Sequence, residues 1–360
     1  MKFSILIPTK ERNELCINAI RSALNQNVEL EVVVSDASFG VELENACKEI
    51  NDKRLFYYRS APDTIMTNNW LNAYNNSTGD YIIIIGDDDY LVKDVLCSCE
   101  EMINSTKCSA IALGYIGYNE MKRPGYLDYK KYQSKDKVNK VEFSTMLKAF
   151  LADGSIPHPS QLVLNRRLYN LVKEKFGATY DFPYPDFSFM PRLFTLNEVL
   201  FQFNKPQVLV GRYPKSFTNS TYLKMNAFQM EIGSDYTYTS LSAPVTYKGL
   251  IEIILRLQQE DKNLNYKVGW QIFYFEYLFQ ILLLKKNKME IGPYLINLHK
   301  ALWNLNPKYE ILVLILVFKK IFIIGASKIS ILKKKKNQKD YFDDISKAAN
   351  YISEKELKLL

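Results

Sequence analysis

At 360 residues with 47% hydrophobic content, the chain can bury one large core or two moderate ones, which excludes a disordered or fibrous protein. Its 47 basic and 39 acidic residues leave a net charge of +8, yet Lys319, Lys320, Lys328, Lys333, Lys334, Lys335, Lys336 and Lys339 fall in one stretch without an acid, and without them the two signs balance. A neutral body with one basic, apolar-flanked segment excludes a general nucleic-acid binder and points to a membrane surface as partner. The five cysteines (Cys16, Cys47, Cys97, Cys99, Cys108) are odd in number and lack histidines at ligand spacing, so they read as reduced packing residues of a cytosolic protein. The apolar run Phe3 to Pro8 breaks at Thr9-Lys10-Glu11-Arg12, far short of a secretory signal.

In chain order, Phe3 to Ile7 reads as a strand, followed by a helix with Cys16, Ala19, Ile20, Ala23 and Leu24 on its apolar face. Glu31 to Val34 is a second strand, Leu43, Ala46, Cys47 and Ile50 mark a second helix, and Leu55 to Tyr58 is a third strand. A short helix around Trp70 leads through Ser77-Thr78-Gly79-Asp80 into Tyr81 to Ile85, which is apolar on both faces. Such a run belongs in the centre of a sheet covered by helices on both sides, so the fold class is α/β with an open sheet. Residues 1–110 then form one half of a domain and 111–220 a second, substrate-facing half, with a strand at Ser109 to Tyr118 and a helix near Phe143 to Leu151. Residues 221–360 are helical, with Leu250, Ile253, Ile254 and Leu257 on one face, an apolar-aromatic run from Trp270 to Leu284, and a last segment that reads as an ordinary surface helix. No internal repeat is visible.

Ligands of open α/β sheets bind beyond the carboxyl ends of the strands. Here those ends are Pro8-Thr9-Lys10-Glu11, Ser35-Asp36 and Gly86-Asp87-Asp88-Asp89, with no glycine-rich phosphate loop after the first strand. Three successive aspartates after five apolar residues are unfavourable unless a cation neutralises them. Oxygen ligands suit Mg²⁺ or Mn²⁺, with a diphosphate completing the shell; the alternative is a solvated loop capping the helix that begins near Val92.

The order and spacing of Phe3-Ser4-Ile5-Leu6-Ile7-Pro8-Thr9, Glu11-Arg12-Asn13, Ile20 to Gln26, Glu31 to Asp36, Asn69-Trp70 and Thr78 to Asp89 resemble the family 2, GT-A-fold glycosyltransferases of bacterial surface polysaccharide synthesis. The resemblance is close over the first 90 or so residues and fades afterwards, as acceptor regions diverge. It implies a GT-A-like open mixed sheet flanked by helices, with a C-terminal helical region. It also implies a metal-dependent, inverting transfer from a nucleotide-diphosphate sugar, a UDP-sugar first, to a saccharide or lipid-linked saccharide in O-antigen or capsule synthesis. Thr9, Glu11 and Asp36 would line the base and ribose pocket, Asp87 and Asp88 would lie near ribose and diphosphate, and Asp89 would hold Mn²⁺ or Mg²⁺. Gly86 stands where the family's Asp-x-Asp-Asp pattern has an acid, which leaves the individual roles open by one position. The general base would be Asp186, in Pro183-Tyr184-Pro185-Asp186-Phe187, with Asp181 as competitor. His158, in Ile156-Pro157-His158-Pro159, would contact acceptor or diphosphate, or serve structure alone.

The apolar run Ile311 to Phe318 is interrupted by Lys319-Lys320 before Ile321 to Ala326. It falls short of the ~20 unbroken apolar residues a bilayer crossing needs. Segment 311–339 is therefore expected to lie on the inner face of the membrane as a peripheral anchor, the alternative being a buried helix with a solvated lysine tail. Rival functions are a sugar-nucleotide pyrophosphorylase, which wants a glycine-rich basic loop after strand one, and a non-catalytic membrane-attached module of the same fold.

Overall fold

The computed structural model describes residues 1–128, 138–182, 184–214, 239, 241, 246–262, 264, 266–286, 290–331 and 340–357. Its elements begin β1 (Phe3–Thr9), α1 (Asn13–Leu24), β2 (Leu30–Asp36), α2 (Glu42–Ile50), β3 (Leu55–Arg59), α3 (Met66–Asn75), β4 (Tyr81–Ile84), β5 (Tyr90–Leu91), α4 (Val95–Thr106) and β6 (Ala110–Asn119). They continue with β7 (Gly125–Asp128), β8 (Val138–Glu142), α5 (Phe143–Asp153), β9 (Leu162–Asn165), α6 (Arg166–Phe176), α7 (Pro185–Leu193) and β10 (Val199–Arg212). The last are α8 (Thr246–Glu260), α9 (Trp270–Lys286), α10 (Gly292–Leu305), α11 (Pro307–Ile331), β11 (Tyr341–Phe342) and α12 (Ile345–Leu357).

One mixed sheet runs β11-β7-β6-β9-β4-β1-β2-β3, with β10 pairing β5, β6 and β8. β1 is parallel to β2 and to β4, and its register sets Thr9 opposite Asp36 and Leu6 opposite Ile84. Three carboxyl ends therefore meet on one edge. β9 runs antiparallel between β4 and β6. An antiparallel strand begins where its neighbours end, so the single turn Pro159–Gln161 before β9 arrives at that same edge. β10, parallel to β6 with Arg212 opposite Asn119, ends there too.

The apolar faces expected from the sequence are buried. Cys16, Ala19, Ile20 and Ala23 of α1 pack with Ile5, Ile7, Val32, Val34 and Ile83 under the sheet, the four-residue stripe giving α1 one apolar side. All five cysteines are unpaired thiols. At the edge away from the strand ends, Glu31 is 3% exposed and accepts from Ser4 Oγ at 2.6 Å, Thr78 N at 2.5 Å and Lys2 Nζ at 2.5 Å.

The chain divides into two compact units, one of Met1–Ser144, Pro157–Gly233 and Lys339–Leu360, the other of Thr145–Ile156 and Ser234–Gln338. The final helix is not a surface helix. Ile345, Ala348, Ala349 and Ile352 of α12 are buried with Val92, Ile116, Leu209 and Tyr213, and β11 pairs with β7. Its i, i+3, i+4, i+7 stripe is short and half alanine, which hides it among the charges of the segment. In the second unit, Leu250, Ile253, Ile254 and Leu257 of α8 are buried as expected, alongside Phe273, Tyr277 and Ile281 of α9. α11 carries the backbone of segment 311–339 as far as Ile331; Lys333 to Lys336 and Lys339 lie outside the described residues, as does Pro183.

Candidate active site

The strand ends enclose a cavity of about 580 Å³ lined by Thr9, Lys10 and Arg12 from the end of β1, Gly86, Asp87 and Asp88 from the end of β4, and Met66, Asn69 and Trp70 from α3. Across from these the lining includes His158 and Ser160, Asp186 of α7, and Val210 to Arg212 of β10. Such a volume suits a small-molecule ligand.

The donors around the triplet come from different elements. Thr9 Oγ1 donates to Asp87 Oδ2 at 2.7 Å. Arg12 Nη1 lies 2.9 Å from Asp87 Oδ1 and 3.2 Å from Asp88 Oδ2, clamping both carboxylates. Asn69 Nδ2 donates to the Thr9 carbonyl at 3.0 Å and fixes the end of β1. Burial pushes the Asp87 carboxyl above its ordinary range, against the opposing pull of Arg12 and Thr9. The triplet is not a helix cap, because α4 begins only at Val95, after Asp94.

Asp89, expected to hold the metal, is turned away from the cavity. Its Oδ2 accepts from Ser160 Oγ and from Gly86 N at 3.2 Å, and its Oδ1 from Gly211 N at 3.0 Å. With a residue exposure of 2% it ties the strand-four loop to the turn before β9 and to the end of β10. Asp87 and Asp88 are the triplet's carboxylates that line the cavity, and Asp88, with a side chain 14% exposed, is the more open of the two. Gly86 is explained by the same contacts. A Cβ there would meet Asp89 Oδ2 at 2.7 Å, so a side chain at this position would have to displace the inward-folded Asp89 carboxylate. At Gly211 a Cβ would collide with the Asp88 carbonyl.

Thr9 sits in the cavity, but Glu11 and Asp36 do not line it. Asp36 is fully buried and accepts from Ser38 N at 2.9 Å and Tyr57 OH at 2.8 Å. Glu11, at φ 58°, accepts from Phe39 N at 2.6 Å while its own N–H donates to Ser38 Oγ at 2.7 Å. Together they hold the loop after β2. In this structure the two carboxylates accept from backbone donors and a phenol, and neither lines the cavity.

Asp186 lines the cavity near the start of α7, and burial raises its carboxyl above the ordinary range. Asp181 is elsewhere, paired with the buried Arg192 at 3.1 Å. His158 caps the turn Pro159–Gln161: its Nδ1 accepts from Ser160 N at 3.4 Å. That bond requires Nδ1 without a proton, so the 3.6 Å approach to Asp89 Oδ2 becomes an ion pair only when His158 is charged and the cap is given up.

Sequence reasoning missed Arg12, Ser160 and Gly211. Arg12 lay inside a quoted motif, but its partners are 75 and 76 residues away, which no local pattern reveals. Among the described residues no group of three or more His, Cys, Asp or Glu could hold a metal alone. The donor set fits a cation shared with a diphosphate, where one or two carboxylates suffice and phosphate oxygens and water complete the shell.

Residues 4–170 match the sequence model described as "Glycosyl transferase family 2". A curated relative, the GalNAc(5)-diNAcBac-PP-undecaprenol beta-1,3-glucosyltransferase of Campylobacter jejuni, is 27% identical over 111 residues, 29% of this chain and 35% of that protein. The match thus spans about a third of that relative's length. Among solved structures, S. aureus TarS 1-349 gives a TM-score of 0.46 at 17% identity, covering 79% of this chain and 81% of that one. Its complex with UDP gives 0.47 at 16% identity, covering 84% and 92%.

Proposed function

We propose, from the match of residues 4–170 to the model described as "Glycosyl transferase family 2", that the chain is an inverting glycosyltransferase. It moves a sugar from a nucleotide-diphosphate sugar to a saccharide or lipid-linked saccharide in surface polysaccharide synthesis, O-antigen or capsule, at the cytoplasmic face of the membrane. The observation that carries this reading is one cavity holding both a carboxylate pair, Asp87 and Asp88, bridged by Arg12, and a separate half-buried acid, Asp186. The name of the Campylobacter relative, whose acceptor is an undecaprenol-linked saccharide, supports the lipid-linked alternative.

Asp186 takes the proton of the acceptor hydroxyl as its oxygen bonds to the anomeric carbon and the bond from that carbon to the diphosphate breaks. A carboxylate whose pKa burial has raised is a stronger base once ionised. Lys10, Arg12 and Arg212 line the same cavity and supply positive charge for the diphosphate. Mn²⁺ or Mg²⁺, held by Asp88 with Asp87 behind it, would offset charge on the departing diphosphate. Trp70 offers an aromatic face against a sugar ring.

Purified protein is titrated with UDP-, GDP- and dTDP-sugars, UDP-sugars first, with and without Mn²⁺, and diphosphate release is followed with and without acceptor. Donor-dependent release that rises with acceptor is expected; no donor binding under any condition sinks the reading. Asp88→Asn should abolish metal-dependent donor binding at unchanged thermal midpoint, whereas Asp89→Asn should lower the midpoint. The reverse pattern would return the metal to Asp89.

A further inference from the structure

The second unit carries apolar surface that the cavity chemistry does not use. In α11, Val313 is buried while Ile311, Leu314, Ile315 and Phe318 are 62, 50, 54 and 71% exposed. Positions 311, 314, 315 and 318 form one face of a helix. In α10, Leu298 and Leu302 are buried, and Ile296 and Trp303, two turns apart, are 58 and 57% exposed. The two helices meet through Asn306, and His299 Nδ1 lies 2.8 Å from Glu310 Oε1, joining one to the other. Scattered apolar residues at a surface are ordinary; a stripe along a helix is not.

Charge indicates what covers it. From 292 to 339 the sequence holds one acid, Glu310, against ten lysines, and Glu310 is already engaged by His299. We propose that these two helix faces dock onto an anionic lipid bilayer, the apolar side chains entering the boundary between headgroups and acyl chains and the exposed Lys300, Lys308 and Lys319 lying against the headgroups. A second copy of the chain would bring its own lysines against these, with nothing of opposite sign to answer them, whereas anionic headgroups complement them. Trp303 is of the residue type that settles at that boundary. No helix among the described residues is long and apolar enough to cross a membrane, which leaves attachment in the plane of the interface. Docking rests on the membrane setting proposed above but not on the transfer chemistry.

The full chain is sedimented with vesicles of phosphatidylcholine alone and of phosphatidylcholine mixed with phosphatidylglycerol, and donor binding is measured in parallel. Preferential binding to the mixed vesicles is expected. The double variant Leu314→Glu, Phe318→Glu should lower partitioning roughly 10-fold or more, since two charges replace the apolar anchors, and should leave donor binding unchanged. Lys300→Glu with Lys319→Glu should remove the preference for the anionic lipid. Equal binding of wild type and the Leu314/Phe318 variant, or no binding of wild type to either vesicle, overturns the docking. A dimer that the Leu314/Phe318 variant dissociates, with no vesicle binding, overturns it in favour of self-association. Vesicle binding without donor binding would count against the proposed function and not against the docking.

Discussion

Each end of β1 carries a buried cluster of charged side chains, and the two are tuned in opposite directions. At the start of the strand, burial alone would raise Glu31, but Lys2, Ser4 and Thr78 donate to it and bring it down to about 2. At the cavity edge, burial outweighs Arg12 and Thr9 and leaves Asp87 raised, and Asp186 on the same cavity is raised as well. Donors that converge from the start of β1 and from the turn before β4 make the first cluster stabilising. The second leaves Asp87 only partly compensated, in a cavity where a bound cation would supply the rest, so it is tuned for binding at the expense of the empty fold.

The largest test of this contrast is Asp186→Asn, which should lower transfer roughly 10³-fold, within the range for a lost general base, while the thermal midpoint holds or rises because an ill-solvated charge is gone. A fall in the midpoint would place Asp186 among structural acids. Next is Glu31→Gln, which should remove about 3 kcal/mol of stability at neutral pH, the linkage equivalent of a carboxyl displaced from 4.5 to about 2. Its folded pKa is depressed, so that contribution is fully present above pH 4.5 and is lost as pH falls toward 2. Wild type and variant should therefore converge in urea midpoint on acidification; parallel curves would break the comparison. Gly86→Ala should weaken donor binding about 10-fold, or about 1.4 kcal/mol, through displacement of Asp89, read by calorimetric titration. Smallest is Thr9→Val, which removes one hydrogen bond to Asp87 and should cost about 1 kcal/mol, seen as a few-fold rise in donor dissociation constant.

Strands β1 to β4 and helix α1 were legible because their apolar periods are local and complete. So was the gathering of Thr9 and the aspartates on one edge, since parallel neighbours necessarily end together. The separation of Asp186 from Asp181 was not legible: only the fold sets Asp186 on the cavity and pairs Asp181 with Arg192. α12 escaped notice because its buried stripe contains two alanines and is flanked by lysines and acids. Glu31 looked like one polar residue in a strand, and its partners arrive from 29 and 27 residues earlier and from a turn 47 residues later.

By itself the sequence determined the alternation of strands and helices, the polar chemistry placed at the strand ends, and an apolar, lysine-rich C-terminal segment, all of which depend on neighbours within a few residues. Tertiary structure alone decided which aspartate faces the cavity. Asp89 finds Ser160 and Gly211 at separations of 71 and 122 residues, and those donors draw it inward, leaving Asp87 and Asp88 at the cavity wall. Three identical side chains in a row are distinguished only by what the rest of the fold brings to each.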